Sequence, residues 1–247
     1  MKKYYLMAPG PTPIPPEVLQ ALSRPILHHR TPEFEALFAR VRTGLAGLLE
    51  TRAEVLVLAA SGTGAMEAAV VNLCSPGDEA IVVRCGKFGE RWADIATAFG
   101  VRVHALDAPY GDTVPPEHVA DALRRHPGAK AVFATQSETS TGVLQDIEAY
   151  AALTRATDTL CVVDTVSSLG AVACPMDAWG VDVVVTGSQK GLMCPPGLAF
   201  IALNGRAWAA AERATCPKFY WDLRAERGWQ AKRQAQYTPA VSLLMGL

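Results

Sequence analysis

Short apolar runs rich in valine and isoleucine alternate along the chain with longer stretches in which apolar and polar positions mix. The runs fall at Val55–Ala59, Ala80–Val83, Arg102–Ala105, Ala131–Ala134, Leu160–Val163 and Val181–Val185. Runs this short and this continuously apolar predict strands buried on both faces. Between them, Gly64–Asn72, Glu90–Phe99, Pro116–Arg125 and Asp146–Thr154 have the mixed pattern of amphipathic helices. Strand and helix therefore alternate, which predicts a three-layer α/β/α fold with a mostly parallel sheet. In such folds ligands collect at the carboxyl ends of the strands. Turn chemistry agrees with these boundaries, because Ser75-Pro76-Gly77-Asp78 and Pro127-Gly128 each separate a helix from the next strand.

The two ends of the chain break the pattern. Prolines at positions 9, 11, 13, 15 and 16 predict an extended arm over residues 1–30 that does not sit inside a helix and lies over a site or a neighbouring subunit. Residues 31–247 are then the main domain. The closing run Ala240–Met245 is apolar, and is expected to need a cover.

Composition narrows the function classes. Lys and Arg total 23 against 24 Asp and Glu, so no net field gathers nucleic acid or another polyanion, and the expected partners are small molecules or a second subunit. No stretch reaches the ~20 apolar residues of a membrane span, and prolines interrupt the apolar run after the two opening lysines, which argues against a secretory signal. Six cysteines are scattered without a C-x-x-C pair. That spacing argues against a zinc site or a disulfide framework, and points to buried thiols in a reducing cytoplasm. No metal ligands are assigned.

Three segments carry candidate chemistry. In Val181–Gly191 an apolar strand ends in Thr186-Gly187-Ser188-Gln189 and delivers Lys190. Apolar neighbours can desolvate such an amine, lower its pKa and leave it nucleophilic towards a carbonyl; a solvated loop lysine is the plainer alternative. In Leu160–Ser168 a second apolar strand ends in Asp164, which suits either a buried functional carboxylate or a turn cap. In Ala59–Glu67 a strand runs into Ser61-Gly62-Thr63 and opens a helix, an arrangement suited to a phosphate. This turn lacks both the lysine of a P-loop and the G-x-G-x-x-G spacing of a dinucleotide site.

Phosphate turn, aspartate strand and lysine strand, in that order, resemble the class V aminotransferases, which use pyridoxal 5'-phosphate (PLP) on the aspartate aminotransferase-like fold. The similarity extends through APGPTPIPPEV, SGTGAMEAAVVNL, GKFGERW, SETSTGVL, VVDTVSSLGA, GSQKGLMCPPG and YTPAVSLL, and is greatest to the alanine–glyoxylate and serine–glyoxylate group. The resemblance implies that Lys190 is the Schiff-base lysine and Asp164 the partner of the pyridine nitrogen. It implies that Ser61, Gly62, Thr63 and Gln189 hold the phosphate, that Phe88 stacks on the ring, and that Thr139 contacts its phenolic oxygen. Tyr237 and Thr238 resemble residues that reach the cofactor of a partner in a homodimer. Family members continue past the segment matching YTPAVSLLMGL into a smaller C-terminal domain, so that domain appears absent here, and with it the arginine for the substrate carboxylate. Arg30 and Arg91 are candidate anion contacts, but a surface or subunit-interface charge is the plainer reading of each. The implied reaction moves an amino group between a small amino acid, such as alanine or serine, and a 2-oxo acid such as glyoxylate or pyruvate. Two rivals share these features: a cysteine desulfurase or another PLP lyase, and a truncated, non-catalytic binding module.

Overall fold

The computed structural model describes residues 6–247. The helices are α1 (Pro16–Leu22), α2 (Pro32–Leu48), α3 (Gly62–Leu73), α4 (Lys87–Ala98), α5 (Pro116–Arg125), α6 (Ile147–Arg155), α7 (Met176–Trp179), α8 (Gly205–Ala211), α9 (Leu223–Gln230) and α10 (Val241–Gly246). The strands are β1 (Glu54–Leu58), β2 (Glu79–Arg84), β3 (Arg102–Asp107), β4 (Ala131–Thr135), β5 (Ser137–Glu138), β6 (Val143–Leu144), β7 (Leu160–Asp164), β8 (Val183–Gly187) and β9 (Ala199–Leu203). Seven of them form one sheet in the order β1-β9-β8-β7-β4-β2-β3, and β5 pairs with β6 in a separate hairpin. Strands β8, β7, β4, β2 and β3 run parallel, whereas β9 is antiparallel to both β1 and β8.

Side chains alternate between two cores, as the two-residue period of a strand requires. Val55, Ile81 and Val132 face a cluster shared with α2, α5 and α6, while Leu56, Val82 and Phe133 face one shared with α3, α4 and α8. Helices on both faces of a largely parallel sheet give the expected three layers.

Each of the six runs falls on a strand, but Arg102–Ala105, which contains Arg102 and His104, becomes edge strand β3 and is not buried on both faces. The last strand starts two residues later than its apolar run, because Asp182 is fully buried as an acceptor for the Cys161 amide at 2.8 Å and for the Asn204 side chain at 2.8 Å. A charged group so engaged belongs to the entry turn. Strand β9 was not anticipated. The proline arm needs correction too: Pro15 is the N-cap and Pro16 the first residue of α1. Proline is tolerated at a first helical position, where its missing N–H would have had no partner. The closing apolar run also finds its own cover, since α10 buries Val241 and Leu244 in the core cluster that includes α2.

Candidate active site

Strand β8 ends at Gly187, and the next three residues form a pinned turn. The Ser188 hydroxyl donates to the Pro195 carbonyl at 2.7 Å, the Ser188 amide donates to the Leu198 carbonyl at 3.0 Å, and the Met193 amide closes on the Lys190 carbonyl at 2.9 Å. Gly191 follows because a Cβ there would lie 2.3 Å from the Leu169 carbonyl oxygen. The proline arm crosses the same turn: the Thr12 amide donates to the Gln189 carbonyl at 3.1 Å and the Thr12 hydroxyl to the Lys190 carbonyl at 3.0 Å. Gly10 passes so near the lysine that a Cβ would meet Lys190 Cδ at 2.2 Å. Lys190 is left 9% exposed, and burial lowers its pKa against the opposing pull of Asp164.

Asp164 closes β7, the strand beside β8. It is buried, and its Oδ1 accepts the Val166 amide at 2.7 Å. Burial pushes its pKa up to about 6; the Val166 amide, Arg91 and Lys190 oppose that rise, and the charge of Glu138 adds to it.

Helix α3 presents its first turn to the same space. Its N-cap, Ser61, makes no side-chain cap bond, and the first amides of a helix have no partner inside it. Gly62 allows close approach, because a Cβ would sit 2.6 Å from Val166 Cγ2. Helix α4 adds Phe88 and Arg91, three residues apart and so on one face. The Arg91 guanidinium lies 4.7 Å over the Phe88 ring, and its Nη1 donates to Thr63 Oγ1 at 3.0 Å. The start of α4 is held by the buried Glu138 carboxylate, whose Oε2 accepts the Phe88 and Gly89 amides at 3.0 and 3.1 Å.

Together these groups line a cavity of about 300 Å³, with Gly10 and Pro11 of the arm along its wall. An amine, a carboxylate, a free helix start and an aromatic face thus converge at the carboxyl ends of parallel strands.

The class-V aminotransferase profile matches residues 4–216. The chain belongs to the class-V aminotransferase family. It is 47% identical to the small subunit of a soluble hydrogenase from Synechococcus sp., an alignment over 99% of this chain and 65% of that protein. It is 39% identical to the L-aspartate–glyoxylate aminotransferase of Paracoccus denitrificans, over 98% of this chain and 62% of that protein. Among solved structures, an aspartate aminotransferase of subgroup IV from Thermus thermophilus superposes with a TM-score of 0.91 at 42% identity, covering 98% of this chain and 68% of the other. The chain thus spans just under two thirds of the length of the curated relatives it matches.

On this class-V scaffold, Ser61, Gly62, Thr63, Phe88, Asp164, Gln189 and Lys190 all line the one cavity. Three other residues singled out in the sequence do not. Thr139, next to Glu138, shares a hydrogen bond with the Ser167 hydroxyl beside the cavity wall. Tyr237 and Thr238 line a separate recess, where the Tyr237 ring stacks on Tyr220 at 4.7 Å. Arg91, read as a surface or interface charge, is instead a wall of the cavity. The sequence predicted this helix only from Glu90, whereas α4 starts at Lys87 and so carries Phe88 on the same face. Arg30 lies elsewhere, donating to the Gln234 side chain and the Ala235 carbonyl, both at 3.0 Å. No helix among the described residues is long and apolar enough to cross a membrane.

Proposed function

We propose that the chain is the PLP-binding part of an aminotransferase that acts on a small amino acid and a 2-oxo acid. The observation that carries this reading is the meeting of the buried Lys190 amine and the buried Asp164 carboxylate in one cavity beside the uncapped start of α3. The donor set fits the cofactor on independent grounds. Gln189 Oε1 is buried there with no hydrogen-bond partner among the described residues, so the cavity holds unspent polar capacity. Gly10 and Gly62 let the arm and the helix start approach the Lys190 and Val166 side chains more closely than any Cβ would permit.

Lys190 Nζ would hold the cofactor's carbonyl carbon, a task that requires the neutral amine its burial favours. Ser61, Gly62 and Thr63 would bind the phosphate through hydroxyls and the free amides of the first helical turn, with Gln189 beside them. Asp164 would pair with the ring nitrogen; Phe88, backed by Arg91, would stack on the ring; Thr139 would approach its phenolic oxygen from the cavity's edge. When bound, PLP supplies a conjugated ring that draws electron density from the substrate's Cα–H bond. Lys190 Nζ, the one lysine amine among the described residues that line the cavity, would be the group that takes up that proton and gives it back.

A small amino donor and an acceptor such as glyoxylate or pyruvate suit this reading, and the Paracoccus relative is named for aspartate and glyoxylate. Tyr237 and Thr238, away from this chain's own cavity, suit a role at the cofactor of a second subunit in a homodimer. Six free, buried cysteines suit a reducing cytoplasm. None of this chain's six cysteines lines the cavity.

Borohydride reduction of the PLP-loaded protein followed by peptide mapping tests the assignment. The pyridoxyl group is expected on Lys190 and absent from Lys190→Ala. Recovery on Lys87 or Lys130 would overturn it. A screen of amino donors against glyoxylate and pyruvate tests the substrate class.

A further inference from the structure

At the opposite end of the parallel strands from the cavity, two imidazole rings lie face to face. His104 of β3 and His126, the residue that follows α5, have ring centroids 3.5 Å apart and planes within 15° of parallel. Glu79, the first residue of β2, joins them: its Oε2 lies 3.1 Å from His104 Nε2. One ligating atom from each of the three lies within 4.8 Å of the others.

Three separate elements are held in place to make this cluster. Strands β2 and β3 are in parallel register there, with Glu79 opposite Arg102. The backbone beyond His126 is fixed by the Ala129 amide on the His126 carbonyl at 3.0 Å and the Lys130 amide on the Glu79 carbonyl at 2.8 Å. Glu79 opens its strand whereas Asp164 closes one parallel to it, so the cluster shares nothing with the cavity described above.

Imidazole nitrogens and a carboxylate are the donors that borderline divalent metals prefer. Ligands at about 2.0–2.1 Å around a tetrahedral ion stand roughly 3.4 Å apart. The 3.1 Å between His104 Nε2 and Glu79 Oε2 approaches that edge; the ion replaces the proton these atoms share, and the partly exposed His126 ring turns out of the stack to aim its lone pair at the same point. The other carboxylate oxygen, Oε1, accepts from Arg102 at 2.7 Å, the kind of outer partner that orients a ligand.

We propose that Glu79, His104 and His126 form a binding site for a divalent transition-metal ion such as zinc, which ties edge strand β3 and the turn after α5 to β2. Water completes the coordination, because all three residues keep part of their surface in solvent.

Calorimetric titration of the PLP-loaded chain with zinc chloride tests this, alongside a cobalt(II) titration read by its visible bands. One ion per chain is expected at this site, with a rise in melting temperature. His104→Gln and His126→Gln should each weaken that binding at least tenfold and remove the thermal shift. The stacked pair His28 and His29 is the control, and His28→Gln with His29→Gln should leave this binding unchanged. No zinc bound at millimolar concentration, or binding that survives both His104→Gln and His126→Gln but is lost with the control pair, would overturn the proposal.

Discussion

The hydroxyl of Thr12 donates a 3.0 Å hydrogen bond to the backbone carbonyl of Lys190. The proline-rich arm is thereby part of the lysine turn. A single neutral hydrogen bond contributes about 1 kcal/mol, worth roughly 2–4 °C in a domain of this size. Thr12→Ala should therefore lower the melting temperature by about that amount, as measured by calorimetry on the cofactor-free chain. Because the Thr12 amide still bonds to Gln189, the arm should stay docked.

Gly10 makes a stricter demand. Any Cβ at this position meets Lys190 Cδ at 2.2 Å, Cε at 2.6 Å and Nζ at 2.9 Å. Gly10 has a φ of +157°, so Gly10→Ala strains the arm as well as crowding the lysine; it should reduce borohydride-trapped pyridoxyl-Lys190 severalfold while circular dichroism stays native. Full trapping in that variant would show that the arm does not constrain the amine.

Asp164 should destabilise the cofactor-free fold at neutral pH. Its pKa in the folded chain, about 6, lies above the ordinary 3.8, so the native state holds the extra proton between those values. Stability is lost as pH rises through that window, by on the order of 3 kcal/mol. Asp164→Asn keeps the acceptor for the Val166 amide and removes the charge. Denaturant titrations should find the variant more stable at pH 7 and equal to the parent below about pH 4, while its half-reaction slows by orders of magnitude as an electrostatic partner is lost. A variant no more stable at pH 7 would mean that the carboxylate is already compensated by Arg91 and Lys190.

Glu138 is a fully buried carboxylate that accepts the amides of Phe88, Gly89 and Ser140 and the Ser140 hydroxyl. Truncation leaves those donors without a partner, at a cost of about 3 kcal/mol. Glu138→Ala should show this loss in denaturant melts, together with weaker PLP binding, because Phe88 loses the anchor of its own amide.

Much of this was legible in the chain. Buried parallel strands need uninterrupted apolar runs, so β2, β4 and β7 announce themselves, and the residues that follow such strands fall on the site by topology alone. An apolar run carries no direction, however, and Ala199–Leu203 sits behind two prolines and a glycine where the alternation of strand and helix had lapsed. Arg91 was misjudged because a lone arginine on a helix is ordinarily solvated; its place depends on Phe88 and Thr63, which the fold brings to it. Glu138 gave no signal, since its partners are mostly backbone amides. Pro15 and Pro16 were read as barring a helix when they mark where one begins.

The antiparallel strand β9 has a consequence for synthesis. Strand β1 hydrogen-bonds in the sheet to β9 alone, pairing Leu58 with Ala199 and Glu54 with Leu203. At ~5–20 residues per second, a ribosome finishes β9 roughly seven to thirty seconds after β1. Through that interval β1 has no neighbour, and the α3 turn beyond it lacks the Lys190 loop it will face. The parallel strands β2, β3, β4, β7 and β8 can assemble meanwhile in the order they emerge. The α3 end of the cavity is therefore synthesised early and completed last, when the strand that seats it leaves the ribosome.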